Sequence, residues 1–114
     1  MMRRLFVAVF TFGLMATGVA AQTPEQVEKG KQVYAAQKCQ TCHAVNGVGN
    51  RKGVLDDVGG RLSEDAIRSW IVSAPEMTAK TKAARKPVMR SYPNLGKEDL
   101  DALVAYMKSL KAKS

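Results

Sequence analysis

The sequence predicts an all-α fold, three main helices joined by irregular loops. Apolar residues recur at helical spacing in three separate stretches, two of them opened by a clear capping residue. No stretch alternates apolar and polar residues as a half-buried strand would. The chain of 114 residues is long enough for one small domain. With only 6% aromatic residues its core is thin, so burial of a large apolar group would add stability that the side chains alone do not supply.

Residues 1–21 read as a secretory signal peptide. Arg3 and Arg4 form the charged start, Leu5 to Ala20 is uncharged and mostly apolar, and Val19-Ala20-Ala21 is a small-residue cleavage site. Gly13, Thr17 and Gly18 weaken a stretch already shorter than the roughly 20 apolar residues of a spanning helix. Cleavage after Ala21 therefore leaves residues 22–114 as one exported domain without a membrane span, placed in the periplasm. The formal net charge of +8 falls when Arg3 and Arg4 depart but stays basic, which favours acidic partner surfaces. Export argues against nucleic acid as that partner.

The first helix opens at Thr23-Pro24-Glu25-Gln26, with Thr23 as N-cap, Pro24 at the permitted first position and Gln26 completing a capping box. Val27, Gly30 and Tyr34 share one face. Glycine inside a helix costs about 1 kcal/mol against alanine, so Gly30 marks a place where another backbone comes close.

Cys39-Gln40-Thr41-Cys42-His43 follows this helix. A C-x-x-C-H run is the sequence form of a covalently attached c-type haem: thiols about one helical turn apart reach one edge of the macrocycle, and the next residue offers an imidazole to the iron. A thioredoxin-like motif would need a βαβ setting, and a zinc site four ligands where the chain has only these three Cys and His residues. A disulfide between Cys39 and Cys42 would leave His43 without a role.

Gly47-Val48-Gly49-Asn50-Arg51-Lys52-Gly53 superficially suggests a phosphate cradle, but no strand precedes it and no helix immediately follows, so it reads as a loop at the haem edge. A middle helix is expected over about Glu64 to Ala74, capped by Ser63 and limited by Pro75, with Leu62 stapled onto Ile67. Its buried face would be Ile67, Trp70, Ile71 and Ala74. The last helix is expected over about Lys97 to Lys111, with Leu100, Leu103, Val104, Met107 and Leu110 as its stripe and Gly96 as a mediocre N-cap. Leu103 and Tyr106 are expected where this helix crosses Gly30.

With one histidine in the chain, the second axial position on iron falls to a methionine, to a lysine or to nothing. Met107 lies on a helical apolar face and reads as core packing. Met77 follows Pro75 at the end of the middle helix, whereas Met89 lies between Pro87 and Pro93, outside regular structure, where a loop can carry it over a haem face. Met89 is the expected ligand, with Met77 or an open or lysine-ligated iron as the alternatives. A thioether in this position favours reduced iron and leaves no vacancy for oxygen or peroxide, so the centre moves electrons without being an enzyme.

In their order along the chain, Gly30, Tyr34, the C-x-x-C-H run, Trp70, Met89-Arg90-Ser91-Tyr92-Pro93 and Leu103-Val104-Ala105-Tyr106 make residues 22–114 resemble a small bacterial class I cytochrome c. That resemblance implies a helical fold around one covalently bound haem, crossed terminal helices and an exposed haem edge. Where the family often has a proline whose carbonyl accepts the proximal imidazole N–H, this chain has Val54, which can still offer that carbonyl. Where the family often has proline after the axial methionine, this chain has Arg90. Trp70 is expected either to hydrogen-bond a haem propionate or to pack as an ordinary indole.

Lys80, Lys82, Arg85, Lys86 and Arg90 surround the ligand segment, with no acid between Glu76 and Glu98. Such a cluster suits transient, charge-steered docking on an acidic redox partner such as a terminal oxidase, reductase or dehydrogenase. The expected function is that of a soluble, monomeric periplasmic electron carrier. The alternatives are the haem c subunit of a periplasmic oxidoreductase complex and, if the iron had an open position, a haem enzyme or gas sensor.

Overall fold

The computed structural model describes residues 22–111. The expected signal peptide lies outside the described residues. Among the described residues there are five α-helices: α1 Pro24–Ala36, α2 Val58–Arg61, α3 Glu64–Val72, α4 Ala74–Thr81 and α5 Lys97–Ser109. Among the described residues no helix is long and apolar enough to cross a membrane.

The N-caps predicted at Thr23 and Ser63 form, while the Gln26 side chain makes no reciprocal capping-box bond among the described residues. Thr23 accepts from the Gln26 amide at 3.1 Å and Ser63 from the Ala66 amide at 3.1 Å, each satisfying an amide that has no intrahelical partner. Gly96 caps α5 without a side-chain hydrogen bond. The acids Glu98 and Asp99 in its first turn and Lys108 in its last complement the helix dipole.

Helices α1 and α5 cross at Gly30 with Tyr106 at the crossing, as expected, but Ala102 takes the place expected of Leu103. A Cβ on Gly30 would overlap the Ala102 carbonyl and the Tyr106 Cβ. Leu103 instead lines the central cavity, because adjacent helical positions point about 100° apart and cannot both face α1. Tyr34 and Tyr106 meet edge to face below the crossing, ring centroids 5.6 Å apart. The core gathers Val33, Val45, Val58, Ile67, Ile71 and Met107 around that pair.

Further elements depart from the sequence reading. The middle helix ends at Val72, and Pro75 then lies in the first turn of a separate helix, α4, where its missing amide costs nothing. Met77 is therefore inside a helix. Two short strands, β1 Ala44–Val45 and β2 Val48–Gly49, pair antiparallel through a two-residue turn. Asn46 and Gly47 both take positive φ there (51° and 78°), the requirement of a primed hairpin turn. The segment read as a plain loop thus holds β2, followed by a 3₁₀ turn over Arg51–Gly53.

The four-residue α2 is held by its neighbours. The Gly59 amide donates to the Leu110 carbonyl at 2.7 Å, and the half-buried Lys108 ammonium donates to the carbonyls of Gly59 (2.9 Å) and Leu62 (3.0 Å). These bonds satisfy backbone groups at the end of α2 and fasten it to the end of α5.

Candidate functional site

A cavity of about 560 Å³ opens between the C-x-x-C-H segment and the segment that links α4 to α5. Its size lies within the range of sites for organic cofactors. Tyr34, Leu55, Val58, Ile67, Ile71 and Leu103 form apolar parts of its wall. Cys39, Cys42, His43 and Met89, the four residues singled out in the sequence, all line this one space.

The C-x-x-C-H segment leaves α1 through Lys38, which adopts a left-handed conformation (φ 58°), and winds into a 3₁₀ turn over Cys39–Thr41. The Cys39 carbonyl accepts from the amides of both Cys42 (3.1 Å) and His43 (2.9 Å), which fixes the spacing of the two thiols. Neither cysteine is in a disulfide. Burial pushes the Cys39 thiol up to about 11, with Cys42 adding a smaller push. That is the opposite of the acidic thiolate of a C-x-x-C oxidoreductase.

His43 is half-buried, and its Nδ1 lies 3.0 Å from the Gly53 carbonyl. A carbonyl only accepts, so Nδ1 carries the proton and Nε2 keeps a lone pair. Burial, and secondarily the positive charge of Arg85, hold the imidazole below its ordinary value, while the bond to Gly53 opposes them. The ring is thus oriented as a neutral donor, the form a metal requires. The acceptor is Gly53 rather than the expected Val54. Gly53 ends the 3₁₀ turn that brings its carbonyl to the ring, whereas Val54 is an exposed residue bridged to Ala44.

Met89 is half-buried within residues 82–96, which form no helix or strand. Two bonds hold the C-terminal side of this segment: the Tyr92 amide donates to the Ile71 carbonyl at 2.8 Å, and Ser91 Oγ accepts from the Ala74 amide at 3.1 Å. Met107 is buried, belongs to the hydrophobic core and also lines the cavity, while Met77 is not part of the lining. Trp70 also lines the cavity, half-buried.

Sequence reasoning missed Arg85 as a member of this site. Its guanidinium donates to the Cys42 carbonyl, a contact across 43 residues that no local pattern signals. It also missed the Tyr34 hydroxyl, which is buried and, among the described residues, has no hydrogen-bond partner. Tyr34 lines the cavity, but its oxygen is closed off from that space, which leaves a buried polar group without a partner.

The profile of the family described as Cytochrome c matches residues 27–111, from α1 to just beyond α5. The chain belongs to the cytochrome c family. Over 107 residues it is 30% identical to cytochrome c oxidase subunit 2 of Alkalihalophilus pseudofirmus, covering 82% of this chain and 30% of that protein. Over 100 residues it is 32% identical to the Cbb3-type cytochrome c oxidase subunit FixP of Sinorhizobium medicae, covering 85% of this chain and 32% of the relative. The chain thus spans about a third of the length of these relatives. No solved structure matches it. Membership in the cytochrome c family implies binding of haem c and haem-based electron transfer. The residues present fit that group: an apolar cavity, two thiols at fixed spacing, a neutral imidazole and a thioether in one lining.

Proposed function

We propose that this member of the cytochrome c family is a soluble periplasmic electron carrier, with one haem held covalently by Cys39 and Cys42 and its iron ligated by His43 and Met89. The single observation that carries the reading is the convergence of these four residues on one apolar cavity. The haem, when bound, supplies one-electron chemistry at its iron.

The chain's own residues account for the rest. Gly53 orients His43 through Nδ1. Ser91 and Tyr92 fasten the segment that presents Met89. With His43 and Met89 both given to the iron, no position would be left for a small substrate, so the protein would carry electrons without itself being an enzyme. Lys80, Lys82 and Lys86 are exposed, are chain neighbours of the cavity-lining Thr81, Ala83, Arg85 and Pro87, and suit an acidic redox partner.

A second reading is favoured by the relatives, both named as oxidase subunits. In it the domain is the haem c subunit of a periplasmic oxidoreductase complex. Purification of the native protein separates the two: a lone monomer supports the carrier, a stable partner the subunit.

The test of the site is the mass of the natively matured protein together with its reduced-minus-oxidised spectrum. The expected result is a chain lacking residues 1–21, heavier by one haem, with the spectrum of a c-type centre. A colourless product with the mass of its amino acids alone overturns the proposal.

A further inference from the structure

Arg85 lies four residues before Met89, yet its guanidinium reaches the Cys42 carbonyl, next to His43. It also packs on Gly53: a Cβ there would overlap both the guanidinium and the Cys42 carbonyl. Gly53 is the residue whose carbonyl holds His43 Nδ1 at 3.0 Å. Arg85, Cys42 and Gly53 thus meet at the imidazole, and Arg85 itself lines the cavity. An arginine fork bonded to a carbonyl is a charge-assisted contact stronger than a neutral hydrogen bond.

We propose that Arg85 is a positioning residue that ties the segment carrying Met89 to the segment carrying His43 and keeps the methionine loop closed over the cavity. This rests on the haem reading given above. Residues 82–96 have no helix or strand of their own to hold them. Ser91 and Tyr92 fasten the segment after Met89, and Arg85 fastens it before. The guanidinium charge beside His43 has a second consequence: it disfavours the more positive, oxidised state of a metal bound there and so raises its reduction potential.

Exogenous imidazole reads the loop directly. It binds ferric iron only when Met89 has left, so its apparent affinity scales with the open fraction. In the matured protein, Arg85→Gln is expected to bind imidazole about tenfold more tightly than the wild type, the factor for losing one charge-assisted hydrogen bond. Its reduction potential is expected to fall. Arg85→Lys keeps the charge but lacks the reach and the fork, so its potential stays near that of the wild type while imidazole still binds more tightly. Should Arg85→Gln not mature, Arg85→Lys carries the test. Lys52→Gln removes a positive charge next to Gly53 with Arg85 in place and is expected to leave imidazole affinity unchanged.

Imidazole affinity equal to wild type in the Arg85 variants, or loosening by Lys52→Gln as large as theirs, overturns the tie. Haem content and the sulfur-to-iron band of the wild type are measured first. A wild type without haem, or without that band, overturns the ligand reading and this one with it. A wild type with both, alongside unaltered Arg85 variants, overturns the role of Arg85 alone.

Discussion

Gly30 of α1 rests directly on the carbonyl of Ala102 in α5, with no room for a side chain between the two backbones. Alanine in a helix is intrinsically favoured over glycine by up to about 1 kcal/mol, but here its methyl would meet a carbonyl that cannot swing away. Overpacking of this kind costs about 1–3 kcal/mol, so the steric effect wins. Gly30→Ala is expected to lower the urea midpoint of the matured protein, and Gly30→Leu to lower it further. An unchanged midpoint in Gly30→Leu would show that the helices do not cross there.

Tyr34 gives a pH dependence with a definite sign. Burial pushes its phenol up to about 12 from the ordinary 10.0. Below pH 10 the phenol is protonated whether the chain is folded or not, and its contribution is complete. Between pH 10 and about 12 the unfolded chain gives up the proton first, so the folded state binds more protons and stability falls as pH rises. Tyr34→Phe removes this loss. The variant is expected to gain on the wild type through that window, while at pH 7 losing an unpartnered buried hydroxyl raises stability by about 1 kcal/mol. Parallel stability curves for the two proteins above pH 10 would contradict it.

Met89 and Met77 separate cleanly by position, one in the cavity lining and the other on α4 outside it. The ferric protein is expected to show the long-wavelength sulfur-to-iron band. Met89→Ala is expected to abolish it, while Met77→Ala leaves it in place. A band that survives Met89→Ala would move the ligand to Met77.

The legible parts of the fold are those whose signals are local. Thr23 and Ser63 mark helix starts because an N-cap acts within three residues, and Gly30 marks a crossing because glycine inside a helix needs a reason. Pro75 was ambiguous: proline ends one helix and is equally welcome in the first turn of the next, so α4 was missed. Asn46-Gly47 is a strong hairpin signal, but strands of two residues show no alternation. Helix α2 was invisible because Gly59 and Gly60 oppose helix locally, and tertiary bonds from Lys108 and Leu110 override them. In the proposed site, residue type and spacing single out Cys39, Cys42, His43 and Met89, and all four line the cavity. The acceptor for His43 was placed one residue too late, and the reach of Arg85 depends on the tertiary path of residues 82–96 alone.

Ser91 supplies a cap that α4 lacks at its own N-cap residue, Ser73, whose side chain makes no capping bond. The Ala74 amide that it accepts belongs to a fully buried residue, so nothing else can replace the acceptor. Ser91→Ala is expected to cost about 1–2 kcal/mol, the range for losing a helix cap or orphaning a buried amide. Denaturant titration of the matured variant measures it. Because Ser91 is two residues from Met89, the sulfur-to-iron band should also be lost at lower denaturant than in the wild type.

The cationic segment divides by what its members already touch. All of them are exposed, but Arg85 is bonded to Cys42 and the Arg90 guanidinium lies over the Tyr92 ring at 5.7 Å, whereas Lys80, Lys82 and Lys86 form no side-chain hydrogen bond or ion pair among the described residues. Steering of a partner is therefore assigned to the three lysines. Attraction between surface charges is screened over about 8 Å at physiological ionic strength, so the association rate with an acidic redox partner is expected to fall as salt rises. Converting the three lysines to glutamine should lower that rate about tenfold at low salt, flatten its salt dependence and leave the sulfur-to-iron band intact. Stopped-flow electron transfer against ionic strength tests both. Rates that ignore salt would reduce the lysines to a solvated surface.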